Sequence, residues 1–187
     1  MPPDDSDLRR LREYLTLLAR AHFDKRLQAK CSPSDIVQDT LVDILRDWTA
    51  QQGRSPQEHA AWLRRVLLNN LLDYQRRFLN QRRNVAIERS LNQAMEQSSA
   101  ALAAIVFDRK AETPLDRVVR EEGLLEVARV LSELPHIQYE FIVRHHLERQ
   151  TISDIADETG HSVSAIAGQI RRGLAEVRRR LSSSSRG

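Results

Sequence analysis

The chain has 187 residues, a formal charge of +3 and 41% hydrophobic content, enough for one ordinary domain or two small helical ones. An aromatic content of 5% and six glycines argue against an all-β protein, and Cys31 as the single cysteine excludes an internal disulfide or a cysteine metal cluster. No apolar run approaches the roughly 20 residues that cross a bilayer, and MPPDDSDLRR has the wrong charge order for a secretory signal; a soluble intracellular protein is expected.

Arginine supplies 26 of the 29 basic residues, and guanidinium suits bidentate contacts to phosphates and base edges. Residues 60–83 hold six arginines against Asp73, a local +5, whereas residues 84–125 hold five basic and seven acidic residues, a local −2. Basic, acidic, basic suggests two parts that face nucleic acid and a joining segment that does not.

In chain order, Leu8, Leu11, Leu15 and Leu18 predict a first helix to about Leu27, with Asp7 as its cap. Cys31-Ser32-Pro33-Ser34 breaks it, and Ser34 can cap a second helix over 35–48. There Ile36, Val37, Leu41, Ile44, Leu45 and Trp48 are expected inside, leaving Asp35, Gln38, Asp39, Asp43 and Asp47 as an acidic, polar face. Residues 49–59 read as a loop. A third helix over 60–79 has a buried stripe of Leu63, Leu67, Leu71, Tyr74 and Phe78, and a face of Arg65, Asn69, Asp73, Arg76 and Arg77 at spacings of three and four. Arginines among amide side chains serve both phosphate and base-edge contacts, and Trp62 and Tyr74 offer stacking surfaces for an unpaired base or belong to the core.

Residues 81–113 read as a linker with one amphipathic stretch (91–107). Helix returns over 115–134 after Pro114, with Thr113 as a cap, and again after Pro135. Residues 151–181 then read as a helix-turn-helix. A short helix over 152–158 carries Ile152, Ile155 and Ala156 on one face, Gly160 can take positive φ, and Ser162 or Ser164 can cap a helix in which Val163, Ile166, Ile170, Leu174, Val177 and Leu181 recur at three and four. Arg171, Arg172, Arg178, Arg179 and Arg180 follow, with Glu176 against them. The two readings are a solvated helical hairpin and a duplex-binding module whose second helix enters the major groove; the arginine pattern favours the second. The closing SSSSRG predicts a disordered tail from 183 to 187.

Catalysis is not expected. His145 and His146 are neighbours pointing about 100° apart on a helix, the other histidines lie in separate segments, and no phosphate loop, nucleophile elbow or paired-acid motif occurs. Neither a metal nor a cofactor is implied.

The order of these segments resembles an extracytoplasmic-function (ECF) sigma factor of the sigma-70 family, the promoter-specificity subunit of bacterial RNA polymerase. The likeness rests on SDIVQDT (34–40), AWLRRVLLNNLLDYQRR (61–77) and the run from LSELPHIQYEF to the helix-turn-helix, in that order. It implies an all-α chain of two small helical domains: region 2 over 1–83, a linker over 84–119 and region 4 over 120–182. Asp35, Gln38 and Asp39 would grip the clamp helices of the polymerase β′ subunit, and region 4 would dock on the β flap. Arg54, Trp62, Arg65, Asn69, Asn70, Asp73, Arg76 and Arg77 would engage the minus-ten element, with the 53–59 loop capturing a flipped base. Ser164, Gln169, Arg171 and Arg172 would read the minus-thirty-five element, since Ala167, Gly168 and Gln169 stand where many members carry Lys/Arg-Ser-Arg. The resemblance implies the bacterial cytoplasm, leaves open whether an anti-sigma factor holds the protein, and competes with two other readings: an operator-binding regulator, and a sigma mimic that never touches DNA.

Overall fold

The computed structural model describes residues 3–51, 53–80, 84–105 and 114–184, and among these all regular structure is helical. Eight α-helices carry the described chain: α1 (Asp5–His22), α2 (Pro33–Asp47), α3 (Pro56–Leu79), α4 (Val85–Ala104), α5 (Pro114–Ser132), α6 (His136–His146), α7 (Ile152–Thr159) and α8 (Val163–Ser184). They fall into two compact units, Met1–Gln97 and Ser98–Gly187. No described helix is long and apolar enough to cross a membrane.

In the first unit, α1, α2 and α3 pack on one another around Leu11, Leu15, Leu18, Ile36, Ile44, Leu63, Leu67 and Leu71, all buried. Asp4, not Asp7, caps α1. The Asp4 carboxylate accepts from the Asp7 backbone N–H at 2.8 Å, and Asp7 reaches back to the Asp4 N–H, so two orphan donors are satisfied reciprocally. The helix ends at His22, short of the expected Leu27, which is buried in a separate 3-10 turn. Helix α2 starts two residues early because Pro33, apparently a break, occupies the first turn, where its missing N–H costs nothing. Ser32 is the cap. The same device, Ser55 followed by Pro56, starts α3 inside the expected loop.

The second unit packs α5, α6 and α7 on α8. Leu124, Val127, Leu131, Phe141, Ile142, Ile155, Ile166 and Val177 fill its core. The region expected as a linker holds the 20-residue α4, whose closing residues Leu102, Ala103 and Ile105 are buried. Its expected amphipathic stretch overlaps α4, while Phe107 and the expected cap Thr113 lie outside the described residues. Arg178 of α8 donates from Nε to the Ile105 carbonyl at 2.9 Å, satisfying one of the acceptors that a helix end leaves open. Residues 183 and 184, expected in the disordered tail, continue α8, and Ser185–Gly187 lie outside the described residues.

Gly173 marks a close helix approach in this unit. A Cβ there would lie 2.7 Å from Ile142 Cδ1, 3.2 Å from Gln138 Cβ and 3.4 Å from Leu134 Cδ1. Bare backbone therefore lets α8 lie against α6 and the turn that follows α5. Leucine in its place has no room, and overpacking of this kind costs about 1–3 kcal/mol. Gly173→Leu is expected to lower protection of the α6 and α8 amides in hydrogen exchange by that amount, with α1–α3 unchanged.

Candidate nucleic-acid interface and neighbouring faces

The helix-turn-helix is α7, a turn at Gly160 and α8. Thr151 and Asp154 form a capping box at the start of α7, holding the Asp154 carboxyl below the usual range. Gly160 has φ +71° with open space where a Cβ would stand, so glycine is required there by backbone angle and not by packing. Ser162 caps α8, its hydroxyl accepting from the Ala165 N–H at 3.2 Å. Arg144 donates to Glu140 on α6 and to Glu158 on α7, tying α7 to the helix beneath it.

The outward face of α8 differs from the expected one in three ways. Val163, assigned to the inward stripe, is 53% exposed, while Ile166 and Ile170 are buried. Gln169 is half-buried and turned towards α6, where its carbonyl oxygen accepts from Gln138 Nε2 at 3.4 Å. It does not share a face with Ser164, Arg171 and Arg172, all three of which are exposed. The five arginines also divide. Arg178 holds Ile105, Arg179 pairs with Glu176, and Arg180 bridges Glu176 and Glu133. Glu133 in turn holds Arg129, which also pairs with Glu126, so this network joins α5 to α8. Two guanidiniums pull the Glu176 carboxyl down to about 2. Arg171 and Arg172 make no hydrogen bond or ion pair among the described residues, which leaves their donors for an outside anion.

On α3, Arg65, Asn69, Asp73 and Arg77 are exposed along one face, with Trp62 and Arg76 half-buried at its edges. Asp73 pairs with Arg76 at 2.7 Å, and the Arg77 guanidinium lies 5.5 Å from the centre of the Phe78 ring. Arg54 stands exposed just before the Ser55 cap. Trp62 joins Trp48 and His59 in a cluster with ring centres 5.0–6.4 Å apart, so the 3-10 turn that follows α2 meets the start of α3 through three aromatic rings. Asn70 leaves the expected group. Its amide donates to Asp43 Oδ2 at 3.1 Å and Thr40 Oγ1 at 3.3 Å, a tie to α2. Tyr74 likewise donates its hydroxyl to Asp39 at 2.7 Å, which raises its pKa to about 12.

The second face of interest lies on α2, where Asp35, Gln38 and Asp39 are exposed. Asp35 is also the capping-box partner of Ser32, accepting from its N–H at 2.8 Å and its hydroxyl at 2.9 Å, bonds that lower its pKa. Sequence periodicity placed Leu45 inside, yet it is 44% exposed, and Val42 is 55% exposed. At 100° per residue both fall on the side of Gln38 and Asp35. The face is thus apolar at its centre and acidic at one end.

Below α8, the His146 ring is half-buried with Nε2 unpartnered among the described residues. Its ring centre is 4.9 Å from that of His145 on α6. Burial, then the His145 and Arg178 charges, push its pKa below 6.5. The folded unit keeps His146 neutral while the unfolded chain takes up a proton near its ordinary value. Stability is therefore full above 6.5 and falls as pH drops from there to the lowered folded value. Hydrogen-exchange protection in α6 and α8 is expected to fall as pH drops below about 6.5, and less steeply in His146→Gln.

Comparison with known proteins found no matching family model, no similar curated protein and no matching solved structure.

Proposed function

We propose that the chain is a promoter-specificity subunit of the ECF sigma type, which binds RNA polymerase core and directs promoter recognition, melting and transcription initiation in the bacterial cytoplasm. One observation carries this reading. A helix-turn-helix with two unpaired arginines on its second helix occurs in a chain whose other unit carries an acidic-apolar face on α2 and an Arg/Asn face on α3.

The α2 face docks on polymerase. Its exposed valine and leucine gain by leaving water, about 25 cal/mol per Å² of apolar surface, and its carboxylates favour a basic partner. Arg65, Asn69, Arg76 and Arg77 hold the backbone and bases of the minus-ten strand, with Trp62 beside them for stacking. Unstacking a base costs a few kcal/mol, offset by stacking worth about 1–3 kcal/mol per base and by phosphate contacts. On the minus-thirty-five duplex, Arg171 and Arg172 bind phosphate or guanine. Two modest DNA contacts on one chain reinforce each other through effective concentration. None of these steps needs a metal, cofactor or catalytic residue.

The test is transcription from a promoter library by core polymerase with and without the chain. Promoter-specific transcripts that require it support the proposal. Sequence-specific duplex binding without core association would replace it with an operator-binding regulator, which leaves the α2 face without a role. Core association without stimulated transcription would replace it with a mimic.

A further inference from the structure

We propose that α8 reads thymine C5-methyl groups through Val163 and Ala167, approaching the duplex so closely that position 168 must be glycine. This rests on α8 being a duplex-reading helix. At 3.6 residues per turn, Val163, Ala167 and Arg171 form one row along the helix, and Ser164, Gly168 and Arg172 form the next. The second row lies opposite the buried Ile166, Ile170 and Val177, and the first row lies beside it, with Val163 exposed at the start of the helix.

Gly168 is the informative residue. A glycine inside a helix weakens it relative to alanine, so it needs a reason. Gly173 has one within the fold, a neighbouring side chain 2.7 Å from where its Cβ would stand. Gly168 has none. Its φ is not positive, and a Cβ there would meet only the Arg172 guanidinium, at 3.4 Å, which is ordinary contact. A glycine that neither backbone angle nor internal packing requires marks close approach from outside.

The side chains around it set the chemistry. Gln169, the one amide on α8 able to pair with adenine, is turned to Gln138, and the Ser164 hydroxyl lies 3.2 Å from that of Ser162. What remains outward over the first two turns is apolar, Val163 at 53% exposed with Ala165 and Ala167, followed by the unpaired Arg171 and Arg172. Methyl groups cannot replace the water on N7, O6, O4, N6 or N4 of the base edges. Thymine alone among the four bases presents a methyl in the major groove. An apolar tip followed by two guanidiniums therefore selects an element with thymine at one or two positions, flanked by guanine or phosphate contacts.

The experiment enriches duplexes from a randomised library with the intact chain, alone and with core polymerase. Each thymine of the enriched element is then replaced by deoxyuridine, which removes the methyl and keeps every hydrogen-bonding atom. One or two positions should lose about 3- to 10-fold in affinity, and Val163→Ala should abolish the difference between thymine and uracil at one of them. Gly168→Ala should raise resistance to urea while weakening duplex binding about 10-fold or more. Equal affinity for thymine and uracil at every position, with enrichment retained, overturns the methyl readout alone. Unweakened binding by Gly168→Ala overturns the close approach. Failure to enrich any duplex removes the duplex-reading helix itself, and this inference with it.

Discussion

If α2 docks on polymerase as proposed, Gln38→Arg combined with Val42→Arg is expected to abolish association with core polymerase while leaving the fold intact. Both side chains are solvent-facing, and surface substitutions away from special contacts usually change stability by no more than about 0.5 kcal/mol. At the proposed interface the same changes would place two cations in an apolar, acid-flanked surface facing a basic partner. Like-charge juxtaposition there costs several kcal/mol, so affinity should fall by at least about 100-fold, and promoter-specific transcription with it. Asp35→Arg and Asp39→Arg, which the sequence alone suggests, are poorer probes. The first removes the Ser32 capping box and the second leaves the Tyr74 hydroxyl without its acceptor, so lost binding could reflect a disturbed α2. The measurement is titration of labelled chain with core polymerase, with helix content and urea midpoint taken on the same samples. Undiminished binding by the double variant would remove α2 from the docking surface.

The contrast between α2 and α7–α8 shows which features a sequence displays. Gly160 and its flanking periodicities predicted the helix-turn-helix because the turn is local: one residue at positive φ decides it. The all-helical content was readable for the same reason, from spacings of three and four. Helix starts where serine precedes proline are hidden in the sequence, since proline at the first helical position looks like a break until its neighbours are seen. Side-chain roles that depend on a distant partner were not readable. Asn70 follows Asn69 and reads as its equal, yet only Asn70 meets Asp43 and Thr40, 27 and 30 positions away. Gln169 gave the same difficulty with Gln138. Val42, Leu45 and Val163 were assigned to no face or to the core, because an apolar residue at a helical spacing normally goes inside; those that do not are the informative ones. Gly173 carries a readable hint, since a glycine in the middle of an arginine-rich helix has a cost that asks for a packing reason.

On the proposed function, Arg171→Ala with Arg172→Ala is expected to weaken promoter binding by holoenzyme strongly. Sequence treats the five arginines of that helix alike, but three are engaged within the fold. Arg171 and Arg172 alone among them have no such partner among the described residues. On the proposed reading each supplies a phosphate or base contact worth about 1–3 kcal/mol, so the pair should cost at least about 30-fold in affinity. If both contact phosphate, the slope of log affinity against log salt should become shallower by about 1.8, at about 0.9 per contact. If one is bidentate to guanine, the slope should change by about half that, with specificity relaxed at one position. Arg180→Ala provides the comparison. Its guanidinium bridges Glu133 and Glu176 across α5 and α8, so its removal should trim the stability of the second unit by no more than about 1 kcal/mol, the usual worth of such surface pairs, and leave the salt slope unchanged. An equal change of slope in both variants would mean that the ion-pair network opens on the duplex and that all the arginines of α8 contribute to binding.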